Sequence, residues 1–102
     1  MAHSAKLLDW REMRRNALLG FAKVEFPSGL ILHDVTVLRG QGGPWASPPS
    51  KPMVGREGTV MKDETGKTRY VPIIEFASKE ARNRWSDEVI AALRAGRPEV
   101  LE

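Results

Sequence analysis

The sequence predicts an α+β domain, with strands first and a single helix last. Three observations carry that expectation. "FAKVEF" (21–26) alternates with a period of two, "LILHDVTVL" (30–38) is rich in β-branched residues, and residues 78–96 carry one apolar stripe at helical spacing. Neither an internal repeat nor a long linker divides the 102 residues. Residues 1–95 are therefore read as one domain and 96–102 as a C-terminal tail. The closing Leu101-Glu102 resembles an expression-vector junction and is expected to stand outside the fold.

In the first strand, Ala22, Val24 and Phe26 face one way while Lys23 and Glu25 face the other. Pro27-Ser28-Gly29 then makes a tight turn, because glycine accepts positive φ. In the next strand Leu30, Leu32 and Leu38 fall on one face and Ile31, Val35 and Val37 on the other. A strand apolar on both faces needs covering twice, by the helix and by a second subunit, which favours a homodimer. "RGQGGP" (39–44) punctuates the chain, and Trp45-Ala46-Ser47 reads as a short returning strand. Residues 53–61 and 68–76 read as the arms of a hairpin around "KDETGK", with Pro72 confining the second arm to a sheet edge or bulge. Ser78 is a suitable N-cap, Glu80 sits in the first turn, and Gly96 with Pro98 ends the helix. Ala81, Trp85, Val89, Ala92 and Leu93 form its apolar stripe, with Trp85 as a core anchor.

Composition narrows the function classes. Without cysteine there are no disulfides or thiolate metal sites, and the two histidines give no zinc spacing, so no metal or other cofactor is expected. No segment has the apolar length of a membrane span or of a secretory signal, and a cytoplasmic protein is the simplest expectation. His3 lies near the terminus. His33 and Asp34 are adjacent on a strand, so regular pleating sends them to opposite faces and denies them a dyad. Ser47 and Ser50 have no neighbouring base, and His33 is expected to be partly buried at a sheet or subunit interface. The glycines of "RGQGGP" lead into Pro44 and a strand rather than a helix, so they form a turn and not a phosphate loop. No enzyme and no small-molecule substrate is expected; catalysis would need a pocket around His33.

Charge points elsewhere. The net charge is +3, and the excess lies in residues 1–23, with five basic against two acidic groups, and in 51–69, with five against three. Such patches attract polyanions. On the helix, Arg84 has Glu80 and Glu88 four residues to either side, so its charge is answered there, whereas Lys79, Arg82, Asn83 and Ser86 share a flank without an acid. That flank suits an anion-binding edge; equally, Arg82 suits a stem laid over the core edge with its head in water. In "WASPPSKP" (45–52), prolines 48, 49 and 52 favour a stiff, extended path that would hold Lys51 ready for a phosphate. They also protect a sheet edge from pairing, and the two roles are compatible.

The His33-Asp34-Val35 strand, the glycine turn, the aromatic Trp45 and the Pro49-Ser50-Lys51 element together resemble the SpoVG family of bacterial regulators, named for a sporulation and septation phenotype. The resemblance spans about residues 6–95. It implies a small twisted antiparallel β-sheet with a C-terminal α-helix, a homodimer joined through strands, and low-selectivity, non-catalytic binding of DNA or RNA. It matches Lys51 to the family's basic position after Pro-Ser, and Lys79 and Arg82 to basic residues at the helix start. The chain departs from the family in Lys51-Pro52, where a basic pair is common, and in a longer 53–70 segment; the sporulation role is not carried over. The expected site is a phosphate-gripping set of Lys51, Arg56, Lys79 and Arg82, aided by Arg14 and Arg15. The alternative is a protein-interaction module that docks a partner on Trp45 and the proline segment, with charge serving solubility.

Overall fold

A computed structural model of the chain describes residues 4–101, so His3 lies outside the described residues. Four strands, β1 (Lys6–Arg15), β2 (Leu18–Glu25), β3 (Ile31–Gly40) and β4 (Gly43–Ser47), form an antiparallel meander in the order β1-β2-β3-β4. A second, two-stranded sheet pairs β5 (Ser50–Pro52) with β6 (Tyr70–Pro72). The helix α1 (Lys79–Gly96) and a closing 3₁₀ turn (Pro98–Leu101) complete the α+β fold. No helix among the described residues is long and apolar enough to cross a membrane.

The turns follow from local chemistry. Arg15 pairs with Leu18 across a two-residue turn in which Asn16 takes φ +55°, a conformation asparagine tolerates better than most residues. Gly29, at φ +93°, donates its amide to the Phe26 carbonyl (2.8 Å) and closes the β2–β3 turn. Gly40 pairs with Gly43 to close β3 onto β4.

Four register shifts decide which side chains meet, one of them at Leu19 on β2, between the Leu18–Leu38 and Gly20–Val37 pairs. On β1, Leu8 is an extra residue between the Leu7–Val24 and Asp9–Lys23 pairs, and two residues, Met13 and Arg14, oppose Leu19 alone. Leu7 and Trp10 both pack against the core although three positions apart. With no sustained alternation, β1 reads as a basic segment rather than a strand. On β3, His33 and Asp34 together oppose the single Lys23, with Asp34 at φ +55°. This shift places Leu32, Val35 and Val37 together in the core, and leaves Ile31 exposed with Thr36 and Leu38 half-buried. The expected two-faced grouping of β3 is therefore corrected: the change of phase comes from the bulge, not from covering on both sides.

The core lies between one sheet face and α1. Ala22, Val24, Leu32, Val35, Val37 and Ala46 pack against Val89, Ile90, Ala92 and Leu93. Trp85 is half-buried at the edge, stacked 6.1 Å from Phe26 and tilted 5.4 Å from Phe76. Ser78 caps the helix by accepting the Ala81 amide at 3.1 Å. Ser86 Oγ accepts the outward Ala46 amide of edge strand β4 at 2.8 Å, occupying part of an otherwise open edge. The C-terminal expectation is also corrected. Val100 and Leu101 are buried in the core, and Arg14 donates to the Val100 carbonyl at 3.0 Å, so residues 98–101 belong to the fold.

Residues 53–69 form two successive turns where one hairpin was expected. Val54 bridges Val60, Lys62 bridges Thr68, and the Met53 amide donates to the Arg69 carbonyl at 2.7 Å. Almost every residue of this arm is exposed. The molecule measures 49 × 29 × 24 Å with a radius of gyration of 14.9 Å. A compact chain of this length has a radius of about 13 Å.

Candidate nucleic-acid interface

Helix α1 leaves the second face of the main sheet uncovered. Cross-strand partners share a face, so the register sets two rows on this open side: Arg11, Phe21, Thr36 and Ser47, then Arg15, Leu18, Leu38 and Trp45. The Arg11 guanidinium lies 4.9 Å from the Phe21 ring centroid and 3.4 Å from the Asp34 carboxylate. Both partners of that ion pair are largely exposed, so it holds only loosely.

Two clefts flank the proline segment. The first, of about 560 Å³, opens at the start of α1 and is lined by Lys79, Arg82, the hydroxyl-bearing Ser47, Ser50 and Ser78, and Phe76. Its one acidic wall residue is Glu75. Lys79 and Arg82 sit three positions apart on one helix flank, and neither is ion-paired among the described residues. The second cleft, of about 620 Å³, lies over the open sheet face, with Arg11, Phe21, His33 and Asp34 on the sheet side and Tyr70 of β6 and the adjoining Ile73 opposite. Pro49, Ser50 and Tyr70 border both clefts. The stretch "WASPPSKP" is thus a strap between two hollows, tied down by the β5–β6 pairs and by the Ile73 amide, 3.4 Å from the Pro49 carbonyl.

The six expected phosphate ligands do not form one set. Lys79 and Arg82 share the first cleft. Lys51 is exposed on β5, pairs with Val71, and lines neither cleft, although its neighbour Ser50 lines both. Arg56 stands on the Gly55–Thr59 turn of the projecting arm, away from both. Arg14 is a structural tie, donating to Glu12 as well as to the Val100 carbonyl. Arg15 is exposed at the end of the open-face row. Arg84 forms no ion pair within 4 Å with Glu80 or Glu88, although both stand four residues away on the same helix.

His33 is exposed rather than partly buried, and the bulge brings it and Asp34 into the same cleft instead of onto opposite faces. Ser50 borders that cleft as well. Among the described residues no hydrogen bond joins the three, and the Asp34 carboxylate faces Arg11. Sequence reading missed this second cleft and its Arg11, Phe21 and Tyr70. The signal was present in β3: the buried apolar positions move from even at Leu32 to odd at Val35 across an Asp, a residue that enters the left-handed region more easily than most.

Asp63, on the arm, accepts from the Thr65 hydroxyl (2.6 Å), the Thr65 amide (2.8 Å) and the Lys67 amide (3.0 Å). The Thr65 hydroxyl contributes most to holding its carboxyl below the usual value. The bonds fix the turn at Gly66, where φ is +85°.

Compared with protein-family models, curated proteins and solved structures, the chain matches none significantly.

Proposed function

We propose that this protein is a non-catalytic, cytoplasmic regulator that binds DNA or RNA mainly through the phosphate backbone, with Lys79 and Arg82 as the principal cationic pair. The observation that carries this reading is the first cleft: two cations one helical turn apart, without an ion pair among the described residues, three serine hydroxyls, and the amide-rich start of α1 meet in one hollow. Lys51, exposed next to the cleft-lining Ser50, extends the contact, whereas Arg14, Arg15 and Arg56 have no part in it. The motif resemblance to SpoVG proteins supports the same function and a strand-joined homodimer. Titration of labelled DNA and RNA at two salt concentrations tests the reading. Affinity that falls steeply with salt supports it, because each phosphate contact releases condensed counterions. Binding that is undetectable or indifferent to salt refutes it.

A specific observation favours the second reading, a protein-docking module. Trp45 is 39% exposed and continues an apolar row with Leu18 and Leu38. If nucleic acid does not bind, that row is the surface to examine for a protein partner.

A further inference from the structure

The second cleft has the chemistry of a base pocket rather than of a phosphate site. Its sheet side holds Phe21 with the Arg11 guanidinium over the ring. Tyr70, 60% exposed, and Ile73, 58% exposed, line its other side and are the two most exposed large apolar side chains of the described protein. Flat apolar and cationic surfaces facing water in one hollow suit a planar π-system. Around them stand groups able to meet a base edge: the Asp34 carboxylate, the Thr36 and Ser50 hydroxyls and the His33 imidazole. Among the described residues only the loose pair with Arg11 holds the Asp34 carboxylate, which leaves it free to turn toward a base amino group.

We propose that this cleft receives one unstacked base of a single-stranded nucleic acid, stacked between the Phe21–Arg11 pair and Tyr70. The inference rests on the nucleic-acid reading above and narrows it to single strands. Its volume lies within the range of small-molecule pockets, about 300–1,000 Å³. Its position supplies the second argument. The two hollows share the Pro49-Ser50 strap and Tyr70, so a base held in one lies beside the cations of the other, where a flanking phosphate belongs. A base inside a duplex is stacked and paired, and cannot enter. The prolines add rigidity, which lowers the ordering cost of binding.

The test measures fluorescence anisotropy of a labelled single-stranded DNA, its RNA counterpart and the matching duplex against wild type, Tyr70→Ala and Tyr70→Phe, with the oligomeric state of each followed by light scattering. Exposure of Tyr70 makes both variants compatible with the fold. Wild type binds single strands more tightly than duplex, and Tyr70→Ala weakens single-strand binding by roughly 5- to 150-fold, the span for losing one base–aromatic stack. Duplex affinity stays unchanged, and Tyr70→Phe retains the wild-type preference. If wild type binds but Tyr70→Ala leaves single-strand affinity intact, or lowers single-strand and duplex affinity alike, the base pocket is refuted while phosphate binding stands. A shift in monomer–dimer balance with unchanged oligonucleotide affinity also refutes it, assigning the face to a second copy. If wild type binds no nucleic acid at all, the proposed function itself fails and takes this inference with it.

Discussion

Replacing Lys79 and Arg82 together by alanine removes the two cations that meet in the first cleft. Neither side chain is ion-paired among the described residues, and both are exposed, so the fold should lose little. Surface changes of this kind move stability by about 0.5 kcal/mol or less. The effect on binding is larger and of a defined form. Each phosphate contact contributes about 0.9 to the slope of log affinity against log salt on duplex DNA and about 0.7 on single strands. Losing two contacts should flatten that slope by about 1.8 on duplex and about 1.4 on single strands. Affinity should drop for every sequence alike, because a phosphate contact carries no base information. Salt-dependent anisotropy titrations measure both quantities. A double variant with the wild-type slope, and with its thermal transition unchanged, would refute the placement of the phosphate contacts.

Other predictions concern the scaffold that shapes the clefts. Gly20→Ala should destabilise the fold by about 2 kcal/mol, because an added Cβ would lie 2.5 Å from the Arg11 carbonyl and 2.6 Å from the Trp10 ring. Thermal unfolding should register this as a fall of roughly 8–16 °C. Ser86→Ala leaves the Ala46 amide of the edge strand without its acceptor and should cost about 1 kcal/mol in denaturant unfolding. Asp63→Asn should speed hydrogen exchange at the Thr65 and Lys67 amides while leaving the global transition in place, since the turn stands on the exposed arm. Acid should reproduce that effect in the wild type. The Asp63 carboxyl is held below its ordinary value in the folded chain, so its contribution is complete above that value. It is lost as pH falls through the lowered one.

Much of the scaffold was legible in the sequence because local pattern and tertiary burial agree. β2 and α1 show their periods openly, Trp45 does return along β3, and Ser78 does cap the helix. Lys79 and Arg82 could be brought together in advance because helical spacing alone places them on one flank. What stayed hidden depends on bulges and on contacts between distant parts of the chain. β1 has no readable alternation because its register shifts twice. Regular pleating sends His33 and Asp34 apart, but here the two residues together oppose one. Arg14 looked like a free cation, but it donates to Glu12 and to a carbonyl 86 positions away. Val100 and Leu101 looked like an appendage, yet they close the core beside β1. The proline strap is held both at β5–β6 and at the Ile73–Pro49 contact. Its role is to border two clefts, with Lys51 outside both.

Nucleic acid bound as proposed meets the protein at the two hollows on either side of Pro49-Ser50. An isotope-labelled sample titrated with a short single-stranded oligonucleotide and followed residue by residue by NMR tests this most directly. The largest shift changes should fall on Ser50, Tyr70, Lys79, Arg82 and the Arg11–Phe21 pair, with the Gly55–Thr59 turn nearly unaffected. Changes confined to that turn or to the outer edge of β1, with the cleft residues silent, would contradict it.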